Sequence, residues 1–121
     1  MNKLLFLVAL TSVLGLAADA PGITIRMTSS YEFAPKTLTI KAGDTILWKN
    51  DSSAVHTVTD DPALASAKQD ATTPPGAEPF NSGPVEPGKQ YSRTFAVPGT
   101  YKYFCVPHEV VGMVGTIVVT K

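Results

Sequence analysis

The sequence is poor in the residues that build disulfides and catalytic sites. Among its 121 residues it has one cysteine, Cys105, and two histidines, His56 and His108. A single cysteine excludes a disulfide within the chain, and with it the class of small scaffolds stabilised by such bonds. A lone thiol in an oxidising compartment must be buried, paired with another chain or bound to a ligand.

An excess of charge of either sign is also missing. Ten Lys and Arg residues balance ten Asp and Glu residues, so the formal net charge at neutral pH is zero. Domains that bind nucleic acids carry clustered positive charge, because phosphate contacts dominate their affinity. The composition therefore argues against nucleic acid as a partner.

The first twenty residues differ in composition from the rest of the chain. Lys3 precedes a mostly apolar run at 4–16, and small residues follow as far as Ala20. This order is typical of a secretory signal peptide, and the run is too short for stable membrane insertion. The sequence predicts a signal peptide at 1–20, with cleavage between 17 and 20, although an uncleaved anchor is an alternative. It also predicts export to the periplasm or another extracytoplasmic compartment, and a single domain at 21–121.

Beyond this segment, long helical periodicity is absent. Short runs rich in β-branched and aromatic residues alternate with Gly, Pro, Asn and Asp, which is the pattern of strands joined by turns. The expected fold is all-β, a Greek-key antiparallel β-sandwich of about seven to eight strands. The predicted strands are 23–28, 36–41, 45–49, 55–59, 90–95, 100–105 and 115–120.

Alternation within these runs predicts which side chains face the core. Side chains repeat every two residues along a strand, so Tyr101, Tyr103 and Cys105 share one face. We expect Trp48, Phe95 and the two tyrosines to be core residues rather than functional ones.

One segment interrupts the succession of strands. Residues 60–79 are rich in Ala, Asp, Thr and Pro and offer few large apolar side chains. Asp61 and Pro62 have the composition of an N-cap and a first helical position, so a short helix is expected there. The remainder is interpreted as a loop insertion, and the sequence assigns it no function.

The end of the chain carries a candidate metal site. Cys105, His108 and Met113 lie within nine residues between two predicted strands, and His56 lies in another predicted strand. One thiolate, two imidazoles and a weak thioether are the donor set of blue-copper electron-transfer sites. Structural zinc sites prefer four strong donors, commonly several cysteines, so this set favours one copper ion over zinc.

The same residues carry a resemblance to a family. The segment from Cys105 to Met113, CVPHEVVGM, has the Cys-x2-His-x4-Met spacing of cupredoxins of the plastocyanin and pseudoazurin type. FAPKTLTIKAGDTILWKN, VHTVT, FNSGPVEPG, PGTYKYFC and GMVGTIVVT are similar to that family as well. The resemblance implies one type 1 copper, an eight-stranded sandwich and one-electron shuttling between larger redox proteins. Thr57 and Val106 stand where the family usually has Asn and Ser or Thr, whose side chains help tie the two ligand segments together and tune the sulfur by hydrogen bonding. The resemblance therefore does not fix the reduction potential.

These observations predict an exported blue-copper electron carrier. Both histidines are used by the predicted site, so none remains for catalytic copper, and the chain is not expected to be an enzyme. A copper chaperone or storage protein is the alternative. The chain is expected to be a monomer whose redox partners dock transiently at an apolar face around His108. That face is formed by Ala54, Val55, Pro107, Val110 and Val111.

Overall fold

The computed structural model describes residues 22–121, which form two β-sheets packed face to face. The predicted signal peptide at 1–20 lies outside the described residues. Within 22–121, no helix has both the length and the apolar character needed to cross a membrane. The strands are β1 (Ile23–Met27), β2 (Phe33–Ala34), β3 (Thr37–Lys41), β4 (Thr45–Asn50), β5 (Gln90–Thr94), β6 (Gly99–Phe104) and β7 (Val114–Thr120).

The sandwich is confirmed, but its sheets are mixed rather than purely antiparallel. The first sheet has the order β2-β1-β4-β5 and the second β3-β7-β6. β1 pairs with β4 in parallel, and β3 pairs with β7 in parallel. The alternation of apolar and polar residues identifies a strand and its buried face. Whether two neighbouring strands run parallel or antiparallel depends instead on how the chain connects them, which the alternation does not show.

The predicted strand at 55–59 is wrong. His56 and Thr59 form only isolated bridges, with Val85 and with Asn81 and Phe104 respectively. The backbone groups of His56 and Thr59 are hydrogen-bonded to loop residues and to the end of β6. Residues 55–59 therefore do not form a strand of either sheet.

The core confirms the predicted inward faces. Trp48, Phe95, Tyr101 and Tyr103 are all buried between the sheets. The Trp48 and Tyr103 rings meet edge to face, with centroids 5.5 Å apart, a favourable arrangement for aromatic pairs. A Cβ added at Gly115 would overlap the Tyr103 ring, so the sheet needs glycine at that position.

Segment 60–79 is irregular but well anchored. Asp61 caps a 3-10 turn at Pro62–Leu64, its carboxylate accepting from the Ala63 N–H at 2.9 Å, which confirms the predicted short helix start. A second 3-10 turn spans Lys68–Asp70. Thr72 then pairs with Lys102 of β6 through two backbone hydrogen bonds of 3.0 Å. The segment therefore lies along the strand that leads into Cys105.

Candidate metal centre

The predicted ligand loop begins where β6 ends. A 3-10 turn at Val106–Val111 follows Cys105 and ends at Gly112, whose φ of 92° lies in the left-handed region that glycine tolerates best. The Cys105 N–H donates to the Met113 carbonyl at 3.0 Å, and the Met113 N–H donates to the His108 carbonyl at 3.2 Å. These bonds close the loop and bring the backbones of its three predicted ligand residues together.

His56 reaches the same place from a different part of the chain. Its backbone exchanges two hydrogen bonds with Val85, at 3.2 and 2.7 Å, and its side chain is completely buried. The Nδ1 atoms of His56 and His108 lie 3.2 Å apart. Segments distant in sequence therefore direct their imidazoles toward one point.

The thiol completes a triangle of donor atoms. Cys105 Sγ lies 3.7 Å from His56 Nδ1 and 3.3 Å from His108 Nδ1. A point equidistant from atoms with these separations is about 2.0 Å from each, and metal bonds to imidazole nitrogen and thiolate sulfur measure about 2.0 to 2.3 Å. The three atoms are thus spaced to bind a single ion, and the soft sulfur among them suits copper.

Met113, the fourth predicted ligand, lies at the end of the same loop. It is fully buried and follows Gly112 directly, and its backbone bonds tie it to the Cys105 and His108 backbones. Met27, in β1, is buried in the same hydrophobic core as Met113.

Burial shifts the ionisation of both buried donors toward their neutral forms. It lowers the pKa of His56, and repulsion from His108 adds to the effect, whereas the Thr28 backbone opposes it. Burial also raises the pKa of the Cys105 thiol, although hydrogen bonds from the Thr57 and His108 backbones oppose that shift. A neutral imidazole is ready to bind a metal, while the thiol must lose its proton on binding.

Thr57 connects the two ligand segments, although the resembled family usually has asparagine at this position. Its hydroxyl accepts a 2.7 Å hydrogen bond from the Val106 N–H, and its own N–H donates to Cys105 Sγ at 3.3 Å. The two ligand segments are therefore tied together without the side chains that the family usually has here. Val106 needs no polar side chain, because its backbone N–H supplies the donor.

Sequence reasoning missed Tyr31, which covers His108. The two rings stack with centroids 4.3 Å apart and an angle of 21° between their planes. Tyr31 has a φ of 59° in the turn after β1, and its side chain is 41% exposed. No spacing in the sequence links this turn to the ligand loop.

Glu109 was also missed, although it follows His108 directly. Its carboxylate accepts hydrogen bonds from the N–H groups of Ser66 at 2.8 Å and Ala67 at 3.0 Å. Burial alone would raise the pKa of Glu109, but these two bonds and a contact with Asp70 lower it. No pattern in the sequence indicates that Glu109 is buried, and only a buried carboxylate requires such partners.

Comparison with known proteins agrees with this geometry. Residues 23–120 match the family model described as copper binding proteins, plastocyanin/azurin family. Plastocyanin of Prochlorothrix hollandica is 39% identical over 97% of this chain and 88% of its own length. A chloroplastic plastocyanin of Tetradesmus obliquus is 35% identical over 88% of this chain and 71% of its own.

Solved structures show the same architecture. A purple cupredoxin from Nitrosopumilus maritimus is 26% identical, with a TM-score of 0.64 over 81% of this chain and 99% of its own. A reduced amicyanin mutant is 27% identical, with a TM-score of 0.64 over 85% of each chain. The match over almost all described residues and the convergence of the donor atoms lead to one conclusion. The chain is a small blue-copper electron-transfer protein with one type 1 copper, and it belongs to the plastocyanin/azurin family of copper-binding proteins.

Proposed function

We propose that His56, Cys105, His108 and Met113 are the copper ligands, and that the protein carries single electrons between larger redox proteins outside the cytoplasm. The observation that carries the assignment is the triangle of His56 Nδ1, Cys105 Sγ and His108 Nδ1, with sides of 3.2 to 3.7 Å. Copper held by one thiolate and two imidazoles supplies reversible one-electron chemistry.

The chain's own residues have distinct tasks in this proposal. Cys105 and His56 are buried, so they hold their donor atoms away from water. His108 is only partly buried, which makes it the ligand best placed to connect the site with the surface. Backbone pairing of the ligand segments with Val85 and Met113 keeps the donors in one arrangement, so little reorganisation accompanies electron transfer.

An apolar surface near His108 supports transient docking. Val110 is 82% exposed, Val111 64% and Val55 38%, and none of them carries charge. Exposed apolar surface of this kind marks interaction sites, and weak redox encounters use small interfaces. We propose as the docking face Ala54, Val55, Pro107, Val110 and Val111, with Tyr31 added because it stacks on His108.

The number of histidines available as copper ligands supports electron transfer rather than enzymatic catalysis. The chain has two histidines, and the proposed site uses both. A type 1 centre that feeds a catalytic copper needs further imidazoles, which this sequence does not contain. The protein is therefore proposed to pass electrons on without transforming a substrate.

The proposed setting is extracytoplasmic. Residues 1–20 have the composition of a cleaved signal peptide, which leaves one domain at 21–121. Mass spectrometry of the exported protein should give an N-terminus after residue 17, 18, 19 or 20. Light scattering should give the mass of one chain. An intact N-terminus, or the mass of a dimer, would contradict these two proposals respectively.

Copper reconstitution tests the site and the function together. Addition of Cu(II) to the purified protein should give an intense thiolate-to-copper band and a reversible one-electron wave. Cys105→Ser should abolish the band. Met113→Leu should shift the reduction potential, whereas Met27→Leu, a matched change at another buried methionine, should not. Weak colour with rapid loss of copper to a chelator would favour the chaperone or storage alternative.

A further inference from the structure

A small hydrogen-bond network lies behind His56, on the side away from the other donors. It begins at Asn50, the last residue of β4, which is buried. One end of the Asn50 side-chain amide faces two carbonyl oxygens, those of Ala54 at 2.8 Å and Val85 at 2.9 Å. Carbonyl oxygens only accept, so this end is the NH₂ group. The other end is therefore the oxygen Oδ1, and it accepts from the Ser52 N–H at 2.9 Å.

The orientation of Asn50 fixes the position of the Ser52 hydroxyl proton. Ser52 Oγ lies 2.7 Å from Asn50 Oδ1. Two oxygens at this distance need a hydrogen between them, and Oδ1 has none, so the Ser52 hydroxyl donates to Asn50. A hydroxyl has one proton, and the Ala54 carbonyl, 3.2 Å from Ser52 Oγ, is a second acceptor that competes for it at longer range. Neither acceptor has a hydrogen to give, so the remaining neighbours of this oxygen must donate to it. The Ala54 N–H does so at 3.1 Å.

The same reasoning fixes the proton on His56. Its outer ring nitrogen, Nε2, lies 2.9 Å from Ser52 Oγ. Because the hydroxyl proton already points to Asn50, Nε2 must carry the hydrogen of this bond. In a neutral imidazole the second nitrogen then has a free lone pair. That nitrogen is Nδ1, the atom that faces Cys105 Sγ and His108 Nδ1.

We propose that Asn50 and Ser52 are positioning residues that hold His56 in its metal-binding tautomer before any ion arrives. The inference rests on the proposed copper site, which it deepens. The hydrogen bond made by one ring nitrogen of a histidine decides the state of the other, and loss of such outer partners typically costs 10- to 100-fold in metal affinity. Every hydrogen bond that links Asn50, Ser52 and His56 is made between protein groups, so the network does not need the metal.

The metal-free protein gives the first test. Long-range ¹H–¹⁵N spectra of histidine-labelled apoprotein distinguish the two neutral tautomers. His56 should show a protonated Nε2 and an unprotonated Nδ1. A proton on Nδ1, or an equal mixture of tautomers, would overturn the proposal even if copper binds as expected. Absence of copper binding with the expected tautomer would instead contradict the proposed function.

Variants of two adjacent serines give the second test. Ser52→Ala removes the acceptor of the His56 Nε2–H, whereas Ser53→Ala changes an exposed neighbour. In competition with a chelator, Ser52→Ala should bind copper about 10- to 100-fold more weakly. Ser53→Ala should stay within about twofold of wild type. Ser52→Thr keeps the hydroxyl and should restore most of the affinity.

A structural role alone predicts a different pattern. If Ser52 only stabilised the fold, Ser52→Ala would lower the thermal unfolding temperature of the apoprotein and leave the His56 tautomer unchanged. The proposal expects the tautomer to become mixed in Ser52→Ala and to return to the Nε2–H form in Ser52→Thr. Equal copper affinities for Ser52→Ala and Ser53→Ala would also overturn it.

Discussion

The hydroxyl oxygen of Thr57 accepts a 2.7 Å hydrogen bond from the backbone N–H of Val106. Each of these residues follows a proposed copper ligand, His56 in one case and Cys105 in the other. The bond therefore joins the two ligand segments directly beside the thiol. Thr57 also donates its own N–H to Cys105 Sγ at 3.3 Å, so one residue contacts both the loop backbone and the proposed thiolate ligand.

Removal of the Thr57 hydroxyl should loosen this connection. Thr57→Val keeps the shape of the side chain but leaves the Val106 N–H without its acceptor, which should cost about 1 kcal/mol of unfolding free energy. The reduction potential should shift, while the thiolate band remains because Cys105 is unchanged. Urea unfolding and voltammetry measure the two effects. Thr39→Val, at an exposed position of β3, is the control. An unaltered potential in Thr57→Val would contradict a role for the hydroxyl in tuning the site.

Glu109 should be needed to hold segment 60–79 against the ligand loop. Its carboxylate is the acceptor for the N–H groups of Ser66 and Ala67. Hydrogen bonds to a charged group are stronger than neutral ones, so Glu109→Ala should cost about 2 kcal/mol. It should also speed proteolytic cleavage within 61–71. Glu86→Ala removes an exposed carboxylate elsewhere and should leave cleavage unchanged. Equal cleavage rates in the two variants would show that the segment is held by its other contacts.

The proposed docking face makes a kinetic prediction. Val110→Asp puts a charge on the most exposed valine near His108. A docking partner would have to remove the water bound to this new carboxylate. Electron exchange with a physiological partner should slow by about tenfold, which corresponds to about 1.4 kcal/mol. The visible spectrum should not change. Thr39→Asp adds the same charge on β3 and should leave the rate near wild type. Equal rates for the two variants would rule out this face.

Asp60 should make stability depend on pH in an unusual direction. Burial raises its pKa above the ordinary value of 3.8, although hydrogen bonds from the Phe80 N–H and the Thr73 hydroxyl, and the nearby Arg93, oppose the shift. Above pH 3.8 the folded protein therefore holds this proton more tightly than the unfolded chain does. The contribution of Asp60 to the free energy of unfolding accordingly falls as pH rises from 3.8 through the raised pKa.

Asp60→Asn isolates this contribution. An asparagine can accept from the Phe80 N–H and donate to the Thr73 hydroxyl, so both contacts survive without the charge. Urea unfolding at a series of pH values should show wild type losing stability relative to Asp60→Asn as pH rises from 3.8. A difference that is constant with pH, or that changes in the opposite direction, would contradict the raised pKa.

The sequence predicted the core residues of the strands and the proposed copper ligands better than it predicted how the strands pair. Alternation correctly identified Trp48 and Tyr103 as core residues, because burial on a strand face leaves a local periodic pattern. It did not predict the parallel pairing of β1 with β4, since pairing direction is a property of distant segments. The single cysteine and the two histidines predicted the residues that converge, because no other residues of these types were available.

The surroundings of the site could not be predicted in the same way. Thr57 uses a backbone N–H as its partner, and every residue except proline offers one, so no side-chain pattern at Val106 reveals the bond. Tyr31 reaches His108 only because the turn after β1 lies over the ligand loop. Contacts of this kind depend on the packed fold rather than on local sequence.

The position of His56 has a thermodynamic consequence for the whole domain. His56 follows β4 of the first sheet, and Cys105, 49 residues later, follows β6 of the second. An ion shared by the two side chains is a removable cross-link between the sheets. Ligand that binds only the folded state stabilises it by about 2.7 kcal/mol at one hundred times the dissociation constant. The melting temperature of this protein should therefore report the free copper concentration around it.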